Sequence, residues 1–118
     1  MPAKINPKDI LIVDDEILIC RALEELLLED GHSVSTATSA STAIELCKSR
    51  PFHLIFLDYY LPEMTGDQVL TILRRANPRQ RVVLMSGGRP YPPQGTADWL
   101  ISKPFTSEVI RQAVAKFA

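Results

Sequence analysis

The chain has 118 residues, of which 46% are hydrophobic and 23% are charged, and its formal net charge is -1. This length fits one compact domain, expected over residues 1–118, and a chain without basic excess is not expected to bind nucleic acid directly. No apolar run approaches the roughly 20 residues of a membrane span, and residues 1–8 lack the apolar core of a signal peptide, so we expect a cytoplasmic protein without membrane contact.

The first half of the chain predicts two strands that are each followed by a helix. Residues 10–13 form a short apolar run, and residues 17–29 carry apolar side chains at steps of three and four, a helical period that Gly31 ends. Residues 33–38 are half polar, as in a strand at the edge of a sheet, and Ser39 or Ser41 can cap a helix that reaches about residue 49.

The second half predicts three more strands and two more helices. Residues 54–57 form an apolar strand, and after a turn-forming loop the helical period covers about residues 67–76, which Pro78 stops. The last elements are strands at 81–85 and 99–102 and a helix at about 106–116. Strands and helices thus alternate throughout, which predicts an α/β fold: a doubly wound parallel sheet that is flanked by helices on both faces.

Charged residues directly follow three of the apolar runs. Asp14 and Asp15 follow the first run, Asp58 follows the third, and Lys103 follows the last. Because the carboxyl ends of parallel strands meet at one edge of the sheet, these side chains are expected to share one crevice. Three carboxylates repel one another there unless a proton, Lys103 or a bound cation relieves the repulsion, and Mg²⁺ prefers such oxygen ligands.

An acidic site that holds Mg²⁺ is suited to receiving a phosphoryl group. An aspartate can attack a phosphoryl donor and form an aspartyl phosphate, while the cation and an ammonium group neutralise the transferring charge. Asp58 is the best candidate for this nucleophile because it stands alone at a strand end. Asp14 and Asp15 are better placed as ligands of the metal.

The motifs resemble those of the receiver domains of two-component response regulators. The matching segments are 10–16, 58–62 with Gly66, 85–87 and 103–105. The resemblance covers nearly the whole chain and implies a flavodoxin-like, five-stranded sheet in the order 2-1-3-4-5.

The resemblance also implies a role for individual residues. The expected magnesium ligands are Asp14, directly or through water, Asp15, Asp58 and the backbone carbonyl of Tyr60. Asp58 is the expected phospho-acceptor, Ser86 the hydroxyl that donates to the phosphoryl oxygen, and Lys103 its counter-ion. The peptide bond between Lys103 and Pro104 is expected to be cis.

The chain also departs from the family pattern. Tyr60 places a bulky ring beside the expected path of hydrolytic water, so we predict that it slows loss of the phosphoryl group. Leu100 stands where many receivers carry a switching aromatic residue, and Trp99 is expected to point to the other face of the sheet. The segment between Ser86 and Lys103 is short and proline-rich, so the fourth helix is expected to be shortened or lost, and residues 87–98, with Arg89, to form a different output surface.

The expected function is a phosphorylation switch and not an enzyme, apart from assistance to its own phosphorylation and dephosphorylation. The expected partners are a histidine kinase or phosphotransfer protein and a downstream protein target or missing effector domain, and Mg²⁺ is the only expected cofactor. The main alternative is a receiver-like module that binds proteins without phosphorylation. A flavodoxin-type cofactor binder and an aspartate-nucleophile phosphatase are further alternatives from other functional classes.

Single residues also have simpler explanations. Asp14 and Asp15 are good helix caps, and Asp58 or Ser86 alone fits a turn. Only their joint position favours a site. Cys20 and Cys47 are predicted to be buried, reduced thiols, and His32 and His53 are predicted to be ordinary turn or surface residues.

Overall fold

A computed structural model describes residues 6–87 and 92–118. Five strands and four helices alternate within these residues, except between the last two strands. Their bounds are β1 Asp9–Val13, α1 Ile17–Glu29, β2 Ser33–Ala37, α2 Ala40–Ser49, β3 Leu54–Asp58, α3 Gly66–Ala76, β4 Val82–Ser86, β5 Trp99–Ser102 and α4 Ser107–Phe117.

The strands form one parallel sheet in the order β2-β1-β3-β4-β5, which confirms the predicted fold. Successive side chains of a strand point to opposite faces, so one strand supplies two cores. On β1, Leu11 and Val13 join the core under α2 and α3, whereas Ile10 and Ile12 join the core under α1 and α4. β2 is more exposed than the central strands, as its half-polar sequence predicts for an edge.

The helix starts follow from their capping residues. Ser39 is the residue that caps α2, because its side chain accepts a hydrogen bond from the Thr42 amide, whereas Ser41 lies inside the helix. Thr65 and Gln68 form a capping box, so α3 begins at Gly66, one residue earlier than predicted. Thr106 caps α4 through the amide of Val109.

Two strands extend further toward their carboxyl ends than predicted. Asp58 belongs to β3 because it pairs with Met85, and Ser86 belongs to β4 because it pairs with Ser102. Parallel pairing continues past the apolar run, so a polar residue can be the last residue of a buried strand. Both residues are therefore held by the sheet and not by a loop.

The connection from β4 to β5 contains no helix in its described residues, which are Gly87 and 92–98. Arg89 and the rest of residues 88–91 lie outside the described residues. Asp98 anchors the end of this connection, because its carboxylate contacts Arg74 at 3.0 Å, Arg81 at 3.1 Å and the Val82 amide at 2.8 Å. The four helices of residues 6–87 and 92–118 agree with the expected shortening or loss of the family's fourth helix.

Other expectations concern single residues. The peptide bond from Lys103 to Pro104 is cis, as predicted. Cys20 and Cys47 are free thiols, as predicted, but only Cys20 is buried, whereas Cys47 is half-buried near the end of α2. Among the described residues, no helix is long and apolar enough to cross a membrane.

Candidate functional site

Four neighbouring strands bring the predicted site residues to the same edge of the sheet. Asp14 follows β1, Asp58 ends β3, Ser86 ends β4 and Lys103 follows β5. The strand register fixes their relative depth, because Asp58 pairs with Met85 and the Lys103 amide donates to the Ser86 carbonyl at 2.8 Å. Side chains that are far apart in sequence therefore form one cluster.

The cluster contains the three predicted carboxylates. Asp14, Asp15 and Asp58 each offer an oxygen atom, and these atoms lie within 4.8 Å of one another. Asp14 is fully buried and Asp58 is 4% exposed, whereas Asp15 faces solvent. One hard divalent cation can contact oxygen atoms at this spacing, so the donor set fits Mg²⁺.

Lys103 neutralises part of this charge. Its Nζ atom lies 2.6 Å from Asp14 Oδ2 and 3.4 Å from Asp58 Oδ1. Burial alone lowers the pKa of Lys103, but the hydrogen bond to Asp14 and the two negative charges outweigh burial and raise it. The ammonium group therefore stays charged at neutral pH and is shared by two carboxylates.

Asp58 is the carboxylate with the most perturbed protonation. Burial, and then the negative charge of Asp14, raise its pKa to about 6, although Lys103 and a hydrogen bond from the Tyr60 backbone amide act in the opposite direction. The negative charge of ionised Asp58 is thus only partly neutralised when Lys103 is the only cation beside it. A bound cation or an added positive charge favours the ionised form, which is also the nucleophilic form.

Two residues outside the acidic cluster donate hydrogen bonds to Asp14, in the loop that follows β1. The Cys20 thiol, which is buried on α1, lies 3.3 Å from the Asp14 carbonyl oxygen and donates to it, and the Glu16 amide donates to Asp14 Oδ1 at 2.9 Å. Sequence reasoning assigned Cys20 only as a buried thiol. Its position six residues after Asp14, on the inner face of α1, is the signal that indicates the contact.

Two glycines allow close approach around the cluster. A Cβ atom on Gly66 would lie 2.9 Å from Tyr59 Cα and 3.2 Å from the Asp58 carbonyl oxygen. A Cβ atom on Gly87 would lie 3.2 Å from Lys103 Cβ. Gly66 was predicted only as part of a motif. The structure shows why a side chain is excluded there: α3 begins directly against the end of β3.

The rings of Tyr59 and Tyr60 pack edge to face, with centroids 4.9 Å apart. Tyr60 is 41% exposed at the rim of the site, whereas Tyr59 packs against the core under α2 and α3. A hydrogen bond between Tyr59 and Asp67 contributes to the raised pKa of the Tyr59 phenol, for which burial is the largest cause. Tyr60 therefore has a ring neighbour that restricts its position.

The remaining predicted residues lie outside the cluster. Leu100 packs on the side of α2 and α3, and Trp99 packs on the other face beside Phe117, as predicted. His32 and His53 lie at the opposite edge of the sheet, just before β2 and β3. Their Nδ1 atoms accept hydrogen bonds from the backbone amides of residues 8 and 9, so both histidines serve the start of β1.

Comparison with known proteins gives a family match for residues 10–115, to the response regulator receiver domain. The alginate biosynthesis transcriptional regulatory protein AlgB of Pseudomonas putida is 38% identical over 120 residues, which cover 97% of this chain and 27% of that protein. The chain thus spans about a quarter of the length of the curated relatives that it matches over nearly its whole length.

Solved structures of response regulators have the same fold as this chain. The response regulator TrrA of Thermotoga maritima, crystallised in complex with Mg²⁺ and BeF, is 28% identical with a TM-score of 0.85, and the match covers 94% of this chain and 99% of that chain. A CheY-like receiver domain protein of Methanospirillum hungatei, at 24% identity and a TM-score of 0.86, covers 94% of this chain and 93% of that chain and supports the fold.

Proposed function

Because the chain belongs to the response regulator receiver domain family, we propose that it accepts a phosphoryl group on Asp58 from a histidine kinase or phosphotransfer protein. The single observation that carries the assignment of the residue is the position of Asp58. It is the carboxylate that ends a central strand, lies against both Asp14 and Lys103, and has a pKa raised by burial to about 6. Among the three clustered carboxylates it is the one whose ionised form has most to gain from added positive charge.

The acidic cluster is the proposed site for Mg²⁺. Asp14, Asp15 and Asp58 supply side-chain oxygens, and the Tyr60 carbonyl is proposed as a further ligand. The spacing of the three carboxylates supports this assignment, and so does the Mg²⁺ in the similar TrrA complex. When bound, the ion neutralises negative charge on the acidic cluster and on the transferring phosphoryl group.

The chemical step is an in-line displacement at phosphorus. An oxygen of the Asp58 carboxylate forms the new bond to phosphorus, while the bond from phosphorus to the donor nitrogen of a phosphohistidine breaks and the nitrogen keeps the electron pair. Lys103 is proposed to contact the phosphoryl oxygens, and the Ser86 hydroxyl is proposed to donate a hydrogen bond to one of them. Neither residue transfers a proton in this step, and a phosphohistidine leaving group takes its proton from solvent.

The proposed switch between an unphosphorylated and a phosphorylated arrangement depends on the contacts of Lys103. Its ammonium is bonded to Asp14 at 2.6 Å and lies further from Asp58, at 3.4 Å. A phosphoryl dianion on Asp58 competes for this ammonium, which shifts the balance between two arrangements of the loop that follows β5. Lys103 and Ser86 are tied by a backbone hydrogen bond, so both strand ends respond together.

Several wider features belong to the same proposal. Residues 1–118 act as one receiver domain in the cytoplasm, the output passes to a protein target or to an effector domain, and the chain assists its own phosphorylation without acting as an enzyme on other substrates. The match covers only 27% of AlgB, and the additional length of this relative supports an effector domain as a partner. A flavodoxin-type binder fits poorly, because Asp14 and Asp15 occupy the loop where a phosphate would lie.

The direct test is the intact mass of the protein after incubation with Mg²⁺ and acetyl phosphate. The wild type is expected to gain one phosphoryl group, and Asp58→Asn is expected to gain none. Asp67→Asn is the matched control, because it removes an exposed carboxylate on α3 outside the cluster. Absence of an adduct in the wild type, with Mg²⁺ binding shown separately, would instead favour a module that binds proteins without phosphorylation.

A further inference from the structure

A groove of about 320 Å³ lies at the edge of the sheet opposite the acidic cluster. Residues 47–51 at the end of α2 form one side, and Leu73, Ala76, Asn77 and Gln80 at the end of α3 form the other. We call it the basic groove, for the charges described next. Helices of a parallel α/β fold run antiparallel to the strands, so their C-terminal ends lie at the amino edge of the sheet. A ligand in this groove therefore does not touch the proposed phosphoryl site.

The charge near the basic groove differs from that of the chain as a whole. The chain has a net charge of -1, yet between Asp67 and Asp98 the sequence contains five arginines and no acidic residue. Four of these arginines fall within residues 74–81, at the end of α3 and in the connection to β4. On the α2 side, Lys48 and Arg50 belong to the lining itself.

Part of this charge has a structural role. Arg74 binds Asp98 and donates to the backbone carbonyls of Gln80 and Thr96, and Arg81 also pairs with Asp98. Cations in the last turn of a helix also stabilise the helix dipole. These contacts account for two of the four arginines in this segment.

Arg79 has no such role, whereas Arg75 lies in the last turn of α3 and lines a separate groove together with Gln68 and Ile72. Arg79 is exposed, and its guanidinium has no hydrogen bond or ion pair with the residues that the structure describes. Arg79 follows the last helical turn and lies between the lining residues Asn77 and Gln80, so the helix dipole does not explain it. Together with Lys48, which also contacts Glu45 at 3.5 Å, and Arg50, it places three exposed positive charges around one groove.

The lining also indicates the kind of ligand. Leu73, Ala76 and Pro51 give the groove an apolar part, and the exposed cations form its rim. A single-stranded nucleic acid is usually bound with exposed aromatic rings, and the aromatic side chain next to this lining, Phe52, is 5% exposed and covered by Arg50. An apolar part with a cationic rim instead suits a peptide with one apolar side chain between carboxylates.

We propose that the basic groove binds an acidic peptide segment of a partner protein, with an apolar side chain of that segment against Leu73 and Ala76 and its carboxylates against Lys48 and Arg79. This site is independent of phosphoryl transfer, since it lies at the other edge of the sheet. It provides a second surface through which a partner can be held while the acidic cluster is free to react.

The test uses a fluorescently labelled peptide, Asp-Glu-Glu-Leu-Glu-Glu-Asp, and fluorescence anisotropy with the full chain. Binding is expected to weaken about tenfold in the double variant Lys48→Gln with Arg79→Gln, and about fivefold for a peptide in which glycine replaces leucine. Ala76→Glu, at an exposed helix position, tests the lining with a separate variant. The matched control is Arg21→Gln with Lys116→Gln, which removes two exposed cations elsewhere and is expected to leave binding unchanged.

Four results would overturn the proposal. The first is no binding of the peptide at low ionic strength, and the second is an equal loss of binding in the control variant. The third is tighter binding of a twelve-residue oligothymidylate than of the peptide, which would assign the groove to nucleic acid. Sedimentation of the protein alone supplies the fourth: self-association that is lost in the Lys48→Gln, Arg79→Gln double variant would show a second copy of this chain as the occupant.

Discussion

Lys103 Nζ and Asp14 Oδ2 form an ion pair at 2.6 Å, although the two residues are 89 positions apart in sequence. The same ammonium lies 3.4 Å from Asp58 Oδ1, so one cation serves two buried carboxylates. The pair connects the loop after β1 to the loop after β5. It also explains why the acidic cluster can exist in the folded chain before a metal ion is added.

Removal of this cation is expected to destabilise the fold. Lys103→Gln leaves Asp14 and Asp58 without their positive partner, which we expect to lower the free energy of unfolding by about 2 kcal/mol at neutral pH. Added Mg²⁺ is expected to recover most of the loss, because the ion replaces the missing charge. Urea unfolding with and without Mg²⁺ measures both effects, with Lys116→Gln as the control for an exposed lysine. An unchanged midpoint in Lys103→Gln would show that the ion pair contributes nothing.

Asp58 is expected to make stability depend on pH. Its pKa is about 6 in the folded protein and near 3.8 otherwise, so the protonated carboxyl favours folding. That contribution is fully present below about pH 4 and is lost as pH rises through about 6. In the absence of Mg²⁺, Asp58→Asn is therefore expected to stabilise the protein by about 1 to 3 kcal/mol at pH 7 and by little at pH 4.

The check for Asp58 is urea unfolding of both proteins between these pH values. The difference between the two curves isolates Asp58 from other titrating groups. A difference that is constant with pH would contradict the raised pKa.

Gly66 is expected to tolerate no side chain. In Gly66→Ala the new Cβ would lie 2.9 Å from Tyr59 Cα, so the start of α3 or the end of β3 has to move. We expect a loss of about 1 to 3 kcal/mol of stability and weaker Mg²⁺ binding, because Asp58 directly precedes Tyr59.

Gly95→Ala is a suitable control for this effect. Its φ of 59° makes alanine costly, yet its Cβ would meet no atom within 4 Å. It is expected to lose stability without loss of Mg²⁺ affinity, as measured by titration of intrinsic fluorescence. Equal Mg²⁺ affinity in both variants would contradict the role assigned to Gly66.

Tyr60 is expected to prolong the lifetime of the phosphoryl group. Its ring is 41% exposed and packs against Tyr59, two residues beyond Asp58, where it limits the approach of water. Tyr60→Ala is expected to lose the phosphoryl group about threefold faster or more. The decay is followed by intact mass after removal of the phosphodonor, and Tyr59→Phe, which keeps the neighbouring ring, serves as the control. An equal or slower decay in Tyr60→Ala would remove this role.

Much of the fold was predictable because its signals are local. Apolar runs such as residues 54–57 and helical periods such as residues 17–29 determine the elements, and their alternation determines a parallel sheet. The carboxyl-edge position of Asp14, Asp58 and Lys103 followed from the same pattern. The ends of the elements were predicted less well. Only the strand pairing in the structure shows that Asp58 and Ser86 belong to strands.

Other features depend on contacts that a single sequence does not reveal. The thiol contact from Cys20 to Asp14 and the anchoring of Asp98 by Arg74 and Arg81 join residues whose side chains meet only in the folded chain. The preference of Lys103 for Asp14 over Asp58 likewise depends on side-chain distances. These contacts decide how charge is distributed in the site, whereas the sequence pattern decides only which residues are in it.

The measurement that tests the central claim most directly is chemical trapping of the phosphorylated residue. Borohydride reduces an acyl phosphate to an alcohol and leaves a free carboxylate unchanged, so an aspartyl phosphate is converted to homoserine. After incubation with Mg²⁺ and acetyl phosphate, peptide mass mapping is predicted to find homoserine at residue 58 and to find none when Mg²⁺ is withheld. Homoserine at residue 14 or 15, or at no position although the intact protein carries a phosphoryl group, would contradict the assignment of Asp58 as the acceptor.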